Sequence, residues 1–168
     1  NSKMLRFVAL ATLLAIAAAT DYHSCSIEAN PTAVNVQGCE KMPCKVIKNK
    51  DAVIKIDFKA KNNADTLTAK VVATAFGIKV PYPLPDGLGN VCEHLDNDGY
   101  CPLDADEDAS YKLTFPVGGS YPEIPVNIEV KIEDQDNKLH TCFSIDIKIA
   151  FYLIIHLLVL FQNPLWEF

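Results

Sequence analysis

The chain has 168 residues, of which 49% are hydrophobic and 21% charged, with six Cys and ten Pro. That is enough for one domain with a real core, and the hydrophobic content excludes a disordered chain. A formal net charge of -6 and a pI of about 5.1 exclude the clustered Lys and Arg that phosphate neutralisation requires, so no nucleic-acid partner is expected.

From the amino end, Met4-Leu5-Arg6 precede an apolar run that closes on Ala17-Ala18-Ala19. A short basic segment, an apolar stretch too short to span a bilayer and a small-residue cleavage site predict a secretory signal peptide over residues 1–19. The mature chain is expected to start at Thr20 or Asp21 and to be secreted.

Residues 20–149 read as all-β. Over 52–61, Ala52, Ile54, Ile56, Phe58 and Ala60 share one face, and Lys55, Asp57, Lys59 and Lys61 the other. A period of two with one apolar face predicts a half-buried strand. Residues 67–76 give a weaker strand, rich in Ala, Thr and Val. In 80–85, Pro81, Pro83 and Pro85 cannot donate ladder hydrogen bonds, which puts that segment at a sheet edge or in an extended loop. Asn97-Asp98-Gly99 and Gly118-Gly119-Ser120 signal turns on either side of a short strand over 111–115. Val126, Ile128, Val130 and Ile132, then Phe143, Ile145, Ile147 and Ile149, repeat the alternation. About seven strands, each with one wet face, predict antiparallel sheets in a two-layer sandwich.

The closing run 149–161 is apolar except for His156, short for a transmembrane helix and without a basic flank. The final Glu-Phe is what GAATTC encodes in one frame, and the opening Asn-Ser is what AATTC begins to encode in another. Residues 150–168 are therefore expected to come from flanking cloned sequence; the alternative is an interfacial segment.

All six Cys lie in the mature region, and an even count behind a signal peptide predicts three disulfides among fifteen possible pairings. Short loops favour Cys39–Cys44 and Cys92–Cys101, leaving Cys25–Cys142 to join the first strand to the last. The chain-entropy argument gives such bridges roughly 2, 3 and 5 kcal/mol.

Motifs of chemistry are absent from the sequence: no G-x-S-x-G, no phosphate-cradling glycine loop, no H-E-x-x-H. His23, His94, His140 and His156 are scattered, and oxidised Cys leave no thiol nucleophile. No enzymatic activity, cofactor or metal is expected. The acidic run Asp104, Asp106, Glu107, Asp108 fails as a calcium loop, with Ala109 where Gly is needed and Phe115 where a bidentate Glu belongs. Asn30-Pro31-Thr32 is a sequon spoiled by proline, so N-glycosylation is not expected.

The order C…C-x4-C…V-P-Y-P-L-P…C…C-P-L…F-P-V-x3-Y-P…C, set on alternating strands behind a signal peptide, resembles the ML lipid-recognition family, in particular its Niemann-Pick type C2 sterol-transfer branch with insect relatives. The resemblance covers residues 22–149. It implies an immunoglobulin-like β-sandwich without catalytic residues, the disulfide pairing given above, and an apolar cavity between splayed sheets. By the same resemblance Tyr82, Val117 and Tyr121 gate the cavity, and Phe58, Val80, Phe115, Val130 and Phe143 line it more deeply. Two positions depart from the family. Tyr82 stands where Phe is usual and brings a hydroxyl that wants a partner, and Val130 stands where Trp is usual. Inward Ile and Val read first as ordinary core, whereas Tyr82, Val117 and Tyr121 on Pro- and Gly-flanked loops suit a pocket mouth.

The resemblance implies a monomeric, secreted carrier of a sterol or fatty-acid-like lipid that makes transient contact with a membrane or a lipid-handling protein. Without a sequon for the glycan that routes lysosomal members, extracellular fluid is favoured over the lysosome. The alternatives are innate-immune recognition of microbial lipid, which needs a basic rim where only Lys79 and Lys112 are near, and an adhesion sandwich with a filled core.

Overall fold

A computed structural model describes residues 19–151 except residue 86, so the expected signal peptide, up to residue 18, and the tail from 152 onward lie outside the described residues. Nine strands follow in order: β1 (His23–Ser24), β2 (Ala33–Val36), β3 (Cys44–Ile47), β4 (Asp51–Lys59), β5 (Leu67–Ala75), β6 (Ile78–Tyr82), β7 (Asp108–Pro116), β8 (Pro125–Asp134) and β9 (Leu139–Ala150). One turn of 3-10 helix, Val91–His94, separates β6 from β7. The long alternating segments became β4, β8 and β9, with the expected faces inward. Ile54, Ile56 and Phe58 on β4, Ile132 on β8, and Phe143 and Ile145 on β9 are buried.

The strands form two facing sheets. One has the order β1-β9-β8-β5-β6, with β3 also pairing along β9; the other has the order β2-β4-β7. All pairings are antiparallel except β3 with β9, where Cys44 lies opposite Ile147 and Ile47 opposite Ala150. β1 and β3 divide one edge of β9 between them, β1 against residues 143–144 and β3 against 147–150. The proline-rich segment enters β6 at the opposite edge, where Pro81 sits across from Val72 and only one side of the strand needs a donor.

Three disulfides pair as the loop lengths favour: Cys25–Cys142, Cys39–Cys44 and Cys92–Cys101. Cys39–Cys44 closes the crossing by which the chain leaves the small sheet at β2 and joins the large one at β3. Thr20 is already part of the domain: its hydroxyl donates to the Cys39 carbonyl and accepts the Val36 amide.

Large side chains fill one end of the sandwich. Phe58, Tyr111 and Phe143 are at most 1% exposed, and Tyr22 meets Phe143 edge to face with ring centroids 6.0 Å apart. At that end the β8–β9 hairpin is closed by Asp134, whose Oδ1 accepts the amides of Asp136 (2.8 Å) and Lys138 (2.9 Å). His140, fully buried, accepts the Lys61 amide at Nδ1, so its Nε2 carries the proton and donates to Asp134 Oδ2 at 3.2 Å. Burial pushes the Asp134 carboxyl up, but the Lys138 and Asp136 amides and His140 outweigh it and hold the group below its ordinary value.

Candidate functional site

Away from that end the side chains of the two sheets leave space unfilled. Between them lies a cavity of about 220 Å³. Ala52 and Ile54 of β4, Leu113 and Phe115 of β7, Val71 and Ala73 of β5, Val126, Ile128 and Val130 of β8, and Ile145, Ile147 and Ile149 of β9 form its walls. Leu67, Ala69, Phe58, Tyr111, Ile132 and Phe143, farther along those strands, are buried and not part of the walls. The division falls at the same level on β4 and β7, and on β5 and β8, but the wall residue Val130 pairs with Phe143, which is core. Aromatic rings close one end, while at the other the aliphatic walls and Phe115 leave space between the sheets. At about 24 cal/mol per Å³, an empty cavity of this size costs roughly 5 kcal/mol, which a fitting apolar ligand recovers.

The mouth is built from β6 on one side and the β7–β8 connection on the other. Tyr82, the last residue of β6, packs edge to face on Phe115 with centroids 5.5 Å apart. Val117, Tyr121 and Pro122 complete the rim from the β7–β8 connection. That connection is tethered to the β3–β4 turn. The Asn49 amide donates to the Val117 carbonyl (2.8 Å), Val117 donates to the Lys50 carbonyl (3.1 Å), and Lys48 pairs with Glu123 at 3.5 Å. A Cβ on Gly119 would lie 2.6 Å from Asn49 Oδ1, so only glycine fits that approach without the Asn side chain moving.

Tyr82 Oη and Tyr121 Oη lie 2.5 Å apart and hydrogen-bond across the mouth. Their mutual bond, with partial burial, pushes the Tyr82 phenol up to about 12, so it stays neutral through the physiological range. Every other lining residue is aliphatic, Phe or Pro.

Of the eight candidate lining residues read from the sequence, Tyr82, Phe115, Val117, Tyr121 and Val130 lie together on this cavity. Phe58 and Phe143 do not: they are packed in the filled end. Val80 does not either. It shares a face with Tyr82 but sits two residues farther out, opposite Ala73, and is 54% exposed. The facing sheet has three strands against six and does not cover this stretch of the edge. Leu84, Pro122 and the inward residues at the open ends of β8 and β9 were not singled out. Their alternation marked them as inward without distinguishing wall from core.

The acidic run folds on itself. Glu107 accepts the Asp104 amide (2.8 Å), and Lys59 bonds Asp108 (3.0 Å) and the Asp106 carbonyl (2.8 Å). Among the described residues no grouping of His, Cys, Asp and Glu could hold a metal ion, and no helix is long and apolar enough to cross a membrane. Among the described residues the histidines sit apart, His23 on Asp146, His94 on the Gly87 carbonyl and His140 on Asp134, and His156 lies outside them.

A two-sheet β-sandwich with a greasy slot between its layers is the architecture of a lipid-binding domain. A profile of the ML domain matches residues 19–149, and the chain belongs to that family. It is 32% identical over 153 residues to the NPC intracellular cholesterol transporter 2 homolog a of Drosophila melanogaster, covering 87% of this chain and 99% of that protein. Among solved structures it resembles a Niemann-Pick type C2 protein from Japanese carpenter ant, with a TM-score of 0.69 at 22% identity over 77% of this chain and 99% of that one. Chicken MD-1 complexed with lipid IVa shares the fold at a TM-score of 0.52 and 17% identity, over 79% of this chain and 88% of that one.

Proposed function

We propose that this protein binds a sterol or a similarly apolar lipid in the slot between its sheets, shields it from water and transfers it, acting outside the cell and without catalysis. The observation that carries this reading is the cavity: apolar on all sides, wedged open at one end of the sandwich and closed at the other. Family membership and the cholesterol-transporter relative support it. Hiding roughly 400 Å² of apolar ligand surface gains about 10 kcal/mol gross, which after ordering costs leaves micromolar affinity or tighter. A filled-core adhesion module is disfavoured by the cavity. Recognition of an anionic microbial lipid is disfavoured by a lining without a cation.

Delivery needs a surface that meets a membrane or a lipid-handling protein, and the β5–β6 hairpin supplies one. Its two-residue turn is Phe76-Gly77, both with positive φ. Asn-Gly is the usual choice there, because a bulky residue is strained in the left-handed region. Phe76 is nevertheless present, 83% exposed, with Ile78 and Val80 behind it on the face that leads to Tyr82. Exposed apolar clusters of this kind mark interaction sites.

The test is native mass spectrometry and lipid extraction of the secreted protein, with a fluorescent-sterol titration. A stoichiometric apolar ligand, lost in Val117→Phe while the fold persists, is the expected result. A clean apo mass without saturable binding would refute the carrier reading. Phe76→Asp should slow sterol transfer to vesicles severalfold while equilibrium binding persists.

A further inference from the structure

The amino-terminal end of the domain is fixed by one side chain. Ala19 is exposed and Asp21 is exposed, but Thr20 between them is buried, with 2% of its surface open. The Thr20 amide donates to the Val34 carbonyl at 2.8 Å, along the edge strand β2. Val36 and Cys39 flank the turn Gln37-Gly38, and the Cys39 amide donates directly to the Val36 carbonyl at 2.9 Å. The return connection runs through Thr20. The Val36 amide donates to Thr20 Oγ1 at 2.9 Å, and that hydroxyl donates to the Cys39 carbonyl at 2.5 Å. One hydroxyl thus closes the turn from which the chain crosses to the large sheet, beside Val36 of the cavity wall and the Cys39–Cys44 disulfide. A chain beginning at Asp21 would strip these partners from the Val34 carbonyl, the Val36 amide and the Cys39 carbonyl at once.

We infer that the Ala19–Thr20 bond is the processing site of this chain, and that Thr20, as the first residue of the mature protein, completes the crossing between the sheets with its hydroxyl. The step is hydrolysis by a leader-removing peptidase. Water adds across the peptide bond, leaving a carboxylate on Ala19 and an amino group on Thr20. Ala17 and Ala19 are the small residues that such an enzyme takes at the third and first positions before the cut. The freed amine keeps protons for the Val34 carbonyl. Because Ala19 is exposed, this point of the chain reaches solvent, where the charge on the amine is hydrated. A cut one residue later would remove the hydroxyl on which the turn depends, and neither the carboxylate of Asp21 nor an apolar side chain can both accept from an amide and donate to a carbonyl.

The experiment is amino-terminal sequencing of the protein secreted from a eukaryotic host, followed by thermal melts of the wild type, Thr20→Ser, Thr20→Val and a deletion of Thr20. The wild type is expected to begin Thr20-Asp21-Tyr22. Thr20→Ser, which keeps the hydroxyl, should melt within about 2 °C of the wild type, whereas Thr20→Val, which keeps the shape, and the deletion should melt about 5 °C or more below it. A mature chain that begins at Asp21, or at any residue before Thr20, overturns the processing site. Melting of Thr20→Val and of the deletion at the wild-type temperature overturns the role given to the hydroxyl. If the deletion is not secreted, the contrast between Ser and Val at this position decides the second point by itself.

Discussion

The two ends of the sandwich are built from the same strands and differ in how completely side chains fill the space between the sheets. At one end Phe58, Tyr111 and Phe143 meet between the sheets, all at most 1% exposed. Tyr111 donates to the Leu88 carbonyl at 2.5 Å, and burial pushes its phenol up. At the other end Ala52, Ile54, Leu113 and Phe115 of the small sheet face Val71, Ala73, Ile128 and Val130 of the large one across about 220 Å³ of space. The filled end anchors the fold, and under the proposed function the hollow end takes the cargo.

The largest effect should come from opening the filled end. Phe143→Ala is expected to cost about 3–5 kcal/mol, read as a fall in denaturant midpoint, and a cost near zero would mean that this end is not the anchor. A matched pair sharpens the contrast. Ile132→Ala, in the filled end, should cost about 3–4 kcal/mol, and Ile128→Ala, on the cavity wall, about half that, since a wall side chain already lacks partners on one side. Saturating sterol should raise stability in the wild type by about 3 kcal/mol at a hundredfold excess over Kd and leave Val117→Phe unmoved.

Acid should attack the filled end first. The Asp134 carboxyl is held below its ordinary value in the fold. Its contribution is therefore complete above the unfolded carboxyl value of about 4 and is lost as pH falls through the folded value. Asp134→Asn should cost about 1–3 kcal/mol near neutrality through disrupted hydrogen bonds. It should also flatten the loss of stability below about pH 4, and an unaltered acid limb would show that the pair with His140 is not responsible. The smallest effect is expected at the rim. Gly119→Ala should cost about 1 kcal/mol by displacing Asn49, with a proportionally larger change in ligand exchange rate, because it shifts the connection that carries Val117 and Tyr121.

Much of the fold was legible because period two is a local signal. Residues 52–61, 126–133 and 143–149 announced β4, β8 and β9, their inward faces and, through proline, the edge position of the segment after residue 80. The short strands β1, β2 and β3 were not legible, because two to four residues carry too little alternation. The parallel pairing of β3 was hidden too, since it depends on where the Cys39–Cys44 crossing sets the chain down. At the site, the mouth residues Tyr82, Val117 and Tyr121 came from the family resemblance, and their Pro and Gly neighbours agreed with it.

What the sequence determined by itself is which way each side chain faces, because alternation is written residue by residue along one strand. The tertiary structure alone decided which inward residues became wall and which became core. That choice rests on the summed volumes of side chains brought together from five strands, and on a register that no single strand contains. Phe58, Phe143 and Val80, which the family resemblance implied as lining, lie off the cavity here because their level along the sandwich is set by neighbours distant in sequence.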